Sequence, residues 1–390
     1  MANILVTALC VSGMILAMLY QMYLNPLMKL FGVFHTVQTF GLEESSCKKI
    51  PELQACEKIV LHQPSGILYL ACSSLESRTN WIPAMERFNA QGRSDNDYVA
   101  TFDPNTLKIT RLEFKNFNSD QPISVHGMDV VPSAFHADEL YVYLVNHRTP
   151  PAGQDATVVG ADSVIELFKT TVSSKRLTHL RTIRDPTIIT PNDVSGQADG
   201  KGFFFTNDHG MKTGFARDLR DILFSTSSVG YCHLDRGCKV AASGLMHGNG
   251  IVKAPSNDTI YVGSAVGAKI IVFERQANDS LLMTETTPTG HPIDNLSVDS
   301  DGTIWAAAFP KSLAVIEHMK NSSYLSPVSA LKIYANSGSN LIYGEKHKVE
   351  KVFEDDGRIV SGSTSVVHDS ERNLLFMHGV TASYLTMCHI

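Results

Sequence analysis

Five oxygen-bearing side chains stand at the starts of apolar stretches, where a solvated loop residue is out of place. They are Glu57 in ACEKIVL, Asn192 in TPNDV, Asn249 in HGNGI, and the adjacent Asp294 and Asn295 in PIDNLSVD. Two carboxylates with three amide oxygens form a hard ligand set suited to Ca2+, which takes about six to eight oxygens and leaves room for water or substrate. Zinc would ask for His or Cys. Singly, each Asn or Asp reads as a turn former, so the metal reading rests on the joint pattern. No Gly-x-Ser-x-Gly elbow offers an alternative nucleophile.

Residues so far apart meet only if the fold gathers strand starts at one place. A turn followed by an apolar or aromatic strand recurs in PSGILYLACSS, ADELYVYLVNH, DGKGFFFTNDH, SNDTIYVGSA, SDGTIWAAAF and ERNLLFMHGV, with turns near residues 65, 138, 200, 258, 301 and 373. The spacing averages about 60 residues, enough for one four-stranded antiparallel sheet per unit. A single sheet of this kind exposes both faces. Radial stacking buries them, so the repeat predicts an all-β, six-bladed β-propeller whose strand starts converge on a central tunnel. Two β-sandwich domains are the alternative, but no Pro/Ser/Gly linker divides the chain.

The composition agrees with a packed enzyme-sized domain. Among 390 residues, 43% are hydrophobic and 18% charged, and the net charge of −6 has no basic run that would mark a nucleic-acid partner. A small-molecule substrate is the better default. Residues Ile4 to Leu24 carry no charge and, at ~1.5 Å per residue, are long enough to cross a ~30 Å hydrocarbon layer. They predict a hydrophobic anchor helix ending at Asn25-Pro26, with a cleaved signal or a buried core helix as alternatives. The expected organisation is therefore an anchor over 1–28, a linker over 29–46 and a catalytic propeller over 47–390.

Apart from Cys10, the cysteines are Cys47, Cys56, Cys72, Cys232, Cys238 and Cys388. Cys56 and Cys72 flank the Pro64-Ser65-Gly66 turn and could face each other across a hairpin, and Cys232 and Cys238 could close a short loop. Cys47 and Cys388 would then tie the two ends of the ring. The alternative is six reduced, buried thiols. Glycosylation sequons at Asn257, Asn278 and Asn321 fall in polar, turn-like segments. With the cysteines, they place the domain in the secretory pathway, lumenal or secreted.

The order of these motifs resembles the serum paraoxonase/arylesterase family, in particular its fungal branch. The stretches that carry the resemblance are CEKIVLHQPSGILYLACSS, SVHGMDV, LYVYLVNH, SVIELFK, PNDV, FTNDH, GNGI, IDNLSVD, IVSGST and the terminal Cys388. They span nearly the whole chain. The resemblance implies a six-bladed propeller, a catalytic calcium held by Glu57, Asn192, Asn249, Asp294 and Asn295, and a Cys47–Cys388 disulfide. It also implies a histidine dyad at His126 and His147, in which one imidazole acts as base on a water and the other tunes it. The alternative for that pair is two structural histidines. Asp208, His209 and Trp305 match positions close to the family's site, as supporting or wall residues.

Two departures matter. The family's structural calcium uses an Asp directly after the catalytic Glu together with the Asp of the PND motif, and here those positions read Lys58 and Asp193. A charged lysine cannot ligate calcium, so the expectation is one catalytic ion, no firm second ion, and a Lys58–Asp193 ion pair in its place. A one-residue register slip would instead put Cys56 at the catalytic position and Glu57 at the structural one. A histidine that the family often has before a Pro is Phe309 here, so substrate preference does not transfer.

The functional expectation is a calcium-dependent carboxylic ester hydrolase that opens lactones or esters by water attack on a polarised carbonyl. Its ester would be apolar enough to partition to a membrane beside the anchor. A non-hydrolytic isomerase or cyclase on the same propeller is one alternative. A non-catalytic binding propeller is another.

Overall fold

All six recurring segments become the second strand of an antiparallel sheet in the computed structural model, which describes residues 2–255, 257–336 and 346–390. Those strands are Ile67–Cys72, Glu139–Arg148, Gly202–Asn207, Thr259–Ser264, Ile304–Ala308 and Leu374–His378. Each pairs with an inner strand: Cys56–His62, Val125–Pro132, Pro191–Gly196, Gly248–Lys253, Ile293–Val298 and Ser365–Asp369 respectively. Successive inner strands are neighbours, and the last returns to contact the first. The chain therefore forms a closed six-bladed propeller rather than two sandwiches. The second blade gains a short fifth strand, Glu113–Lys115, parallel to Arg176–Ile183.

Burial between blades holds the ring together. Ile59, Leu68 and Phe102 of the first blade pack with Val367, Phe376 and Leu385 of the sixth. Phe204 and Tyr231 of the third meet Ile260 and Phe273 of the fourth. Each such side chain removed from water contributes roughly 1.5–3 kcal/mol. The sixth blade takes its outermost strand from the other end of the sequence: Cys47–Ile50 pairs antiparallel with Leu385–His389, with Cys47 opposite Cys388. A Cys47–Cys388 disulfide locks that pairing, and Cys56–Cys72 and Cys232–Cys238 are the other two bridges. Cys10 is free and exposed.

The N-terminal segment departs from the expected anchor. An α-helix runs over Ala2–Leu19, widens to a π-helical turn over Tyr20–Leu24, and resumes as a second helix over Asn25–Leu30. Pro26 does not end the helix. It lies in the first turn of the second helix, directly after the π-helical turn. Among the described residues, no helix is long and apolar enough to cross a membrane. The following residues are not a free linker either. Ser312 N donates to Phe31 O at 3.2 Å, and Glu354 receives the His35 ring at 2.9 Å and Gln38 N at 2.8 Å, so the arm is fastened to the fifth blade.

Candidate functional site

Five of the six inner strands slip in register against their partners near their starts, and four of these slips carry the candidate oxygens. The ladder slips between Cys56 and Lys58, between Pro191 and Val194, between Gly248 and Ile251, and between Ile293 and Leu296. Glu57, Asn192, Asn249, Asp294 and Asn295 are the residues inside those four slips. A bulge re-aims the side chain it carries, which is how apolar strands come to present polar groups at one end of the tunnel. Gly250 allows the strands to close in, since a Cβ there would lie 2.3 Å from Leu296 N.

Glu57 anchors the group. Its Oε1 accepts from Asn295 Nδ2 at 2.9 Å and its Oε2 from Thr364 Oγ1 at 2.8 Å. In the other three bulges, Asn192 Oδ1, Asn249 Oδ1 and Asp294 Oδ1 are buried without any hydrogen-bond partner. Burial pushes the Glu57 carboxyl up to about 7, against the opposing pull of the Arg78 cation. Burial, followed by the charge of Glu57, raises Asp294 well above the ordinary carboxylate range. Two desolvated carboxylates and two free amide oxygens form a cradle that asks for a hard cation. These oxygens fit Ca2+ by donor type. Asn295 differs from the expectation, since it turns its amide nitrogen to Glu57 and its Oδ1 toward Lys58 Nζ at 3.5 Å.

Lys58 forms the expected pair with Asp193, Nζ to Oδ2 at 2.5 Å, and also donates to Leu296 O at 3.1 Å. Beyond this pair, the tunnel opens into a cavity of about 590 Å3 lined by residues such as Val60, Val130, Val194 and Val367. The ion pair thus separates the oxygen cradle from an apolar channel.

His126 and His147 lie side by side with ring centroids 5.0 Å apart. Neither nitrogen of His126 has a hydrogen bond, while His147 Nδ1 meets Ser163 Oγ at 2.8 Å and its Nε2 is free. Burial lowers both, His147 to about 4 and His126 well below the ordinary histidine value, so both rings are neutral at physiological pH. Asp208 lines a cleft of about 10 Å3 together with His147 and accepts from His209 Nδ1 at 2.8 Å. Trp305 is placed elsewhere. Its Nε1 donates to Asp299 at 2.9 Å and its ring packs on His368, in the apolar layer between the fifth and sixth blades. Asn257, Asn278 and Asn321 are exposed at turns.

Sequence reasoning missed the roof of the site. The helices Leu75–Asn80, Arg217–Phe224 and Ser312–Lys320 and the hairpin of Trp81–Ile82 with Arg87–Phe88 are stitched together by arginines. Arg217 Nη1 donates to Pro83 O at 2.9 Å, and Arg87 bonds Met319 O. Arg78, from the first of these helices, is fully buried with Nε and Nη2 unbonded, and its charge acts on Glu57, Asp97 and both histidines. Nothing in SLESRTN distinguishes it from a solvated loop residue. Phe309 joins this roof, packing with Ile82, Val315 and Val380.

Known proteins share this arrangement of sequence. Human serum paraoxonase/arylesterase 1 is 26% identical over 67% of this chain and 67% of its own length. Rat serum paraoxonase/arylesterase 2 is 28% identical over 61% and 62%, and rabbit serum paraoxonase/lactonase 3 is 24% identical over 83% and 83%. The chain thus matches less than two thirds of the rat relative's length. The family described as Arylesterase matches residues 45–389, from just before the closing strand to the penultimate residue. That span includes every blade, both chain-end cysteines of the ring and the whole oxygen cradle, and on it the chain belongs to the arylesterase family.

Proposed function

We propose that this protein is a calcium-dependent hydrolase of lactones or carboxylic esters. What supports the reading is that Asn192 Oδ1, Asn249 Oδ1 and Asp294 Oδ1, each from a separate bulge, are buried without hydrogen-bond partners while burial raises both Glu57 and Asp294. Glu57, Asn192, Asn249 and Asp294 would hold the ion, and Asn295 joins them by rotating its amide to present oxygen. When bound, calcium polarises a carbonyl and stabilises negative charge on its oxygen.

The chain's own groups do the rest. His147, oriented by Ser163, keeps a neutral Nε2 available to take a proton from a water, and the neutral His126 ring packs beside it. Asp208 favours the imidazolium that results. The roof, held together by Arg217 and Arg87, shields the histidines from bulk water. Three disulfides suit an oxidising compartment, and names such as arylesterase and lactonase among the relatives agree with the substrate class.

The test is hydrolysis of a panel of lactones and aryl esters before and after chelation, with product masses recorded. The expected result is gain of one water, loss of turnover with loss of metal, and recovery on adding Ca2+. Turnover that survives verified metal removal rejects the mechanism, and a product of unchanged mass indicates rearrangement instead of hydrolysis.

A further inference from the structure

A second group of potential ligands lies outside the oxygen cradle. His209, Asp218 and His247 each offer one atom, and those atoms all lie within 4.8 Å of one another. His209 is 3% exposed, and its Nε2 is buried without a hydrogen bond although Asp218 Oδ1 is only 3.1 Å away. His247 Nε2 is likewise unbonded, 3.4 Å from Asp221 Oδ2, and the two imidazole centroids are 4.3 Å apart. Two imidazoles and a carboxylate thus approach one point, with His209 and Asp218 at ion-pair distance.

That spacing has a chemical reading. Ligands on a tetrahedral ion with bonds of roughly 2.0–2.1 Å stand about 3.3 Å apart, close to the 3.1 Å between His209 and Asp218. The supporting contacts match as well. Asp208 accepts from His209 Nδ1 at 2.8 Å, which fixes the proton on that nitrogen and turns the Nε2 lone pair toward the group. His247 adopts the left-handed conformation with φ of 46°, and its own N–H donates to Asp221 Oδ2 at 2.6 Å. Arg217 Nε lies 3.4 Å from Asp218 Oδ1, the same oxygen that faces His209, and holds the carboxylate toward the group.

We infer that His209, His247 and Asp218 form a site for a divalent transition ion of the zinc class. Its donor set of two nitrogens and one oxygen differs from the all-oxygen cradle, and the two sites select different metals. The fourth position belongs to water or to an anionic small ligand.

The experiment uses tag-free, full-length protein kept in calcium, with Co2+ as the spectroscopic probe. The expected result is one Co2+ bound per chain beyond the calcium, with the intense visible absorption of a four-coordinate ion that one equivalent of Zn2+ displaces. His247→Asn, which tolerates the left-handed backbone, and Asp218→Asn, on the open side of the group, should each weaken Co2+ binding by about tenfold or more. Asp208→Asn should weaken it by a similar factor through His209. The absence of such absorption in the wild type, or unchanged Co2+ binding in both His247→Asn and Asp218→Asn, overturns the inference and leaves His209 as a cation between Asp208 and Asp218. Because the readout is an absorption spectrum, it stands apart from whether esters are hydrolysed.

Discussion

Lys58 Nζ lies 2.5 Å from Asp193 Oδ2 at the centre of the ring, with both side chains buried. A family member with an acidic residue in place of the lysine would present two carboxylates there. This chain presents an ion pair. Removing one partner strands the other charge, so Lys58→Met should cost about 3–5 kcal/mol, read by denaturant unfolding. Lys58→Met with Asp193→Asn should recover most of that, because the asparagine oxygen can still accept from Ile251 N. Lys58→Asp should raise bound calcium from one ion to two per chain, and a wild type that already binds two would refute the substitution argument.

Asp294 and Glu57 repel each other when no metal is present. Replacing Asp294 with Asn removes a buried carboxyl whose ionisation burial and Glu57 oppose, so the metal-free protein should become more stable, by on the order of 1 kcal/mol. Calcium should then add less stability than it adds to the wild type. Thermal melts with chelator and with calcium measure both quantities, and a metal-free Asp294→Asn protein less stable than wild type would contradict the like-charge account.

His147→Gln should lower kcat by about 10²–10⁴ with a small change in KM, the signature of a lost proton acceptor. Ser163→Ala should give a milder loss, since it removes only the group that orients the ring. Steady-state kinetics on one lactone separate these outcomes. Equal losses in KM for both variants would mark the histidine as a packing residue.

Acid should release the N-terminal arm first. Glu354 is depressed to about 2 because the gains from Lys351, Gln38 N, His35 and Ser329 outweigh the cost of burying it. A lowered folded-state value means that the arm's attachment is at full strength above the unfolded value near 4.5 and weakens as pH falls toward about 2. Limited proteolysis between Phe31 and Ser46 should therefore accelerate across that window. Glu354→Gln should show the same acceleration at neutral pH.

Much of the ring was legible in the sequence because strand chemistry is local. A turn and an alternating apolar strand announce themselves within ten residues, and all six such segments proved to be second strands. The burial of Glu57 and Asp294 was readable because a carboxylate inside an apolar run has no local excuse. The roof was not readable. Arg78 and Arg217 sit in polar segments whose burial depends on neighbours from distant blades, and their partners are backbone carbonyls that carry no sequence mark. Trp305 misled for the complementary reason: an indole beside a known motif reads equally well as pocket wall and as filler between sheets. Pro26 misled because a proline tolerated in a helix's first turn looks, in sequence, like one that stops it.

The pairing of Cys47–Ile50 with Leu385–His389 also bears on how the molecule is made. The first strand to leave the ribosome has no partner until the last has been synthesised, so for nearly the whole of translation it remains an unmatched edge bearing a reactive thiol. Assembly in order of synthesis can complete blades one to five but cannot complete the sixth. A quality-control oxidant that acts late, after release of the nascent chain, would favour the correct bridge over premature pairing of Cys47 with the nearer Cys56 or Cys72.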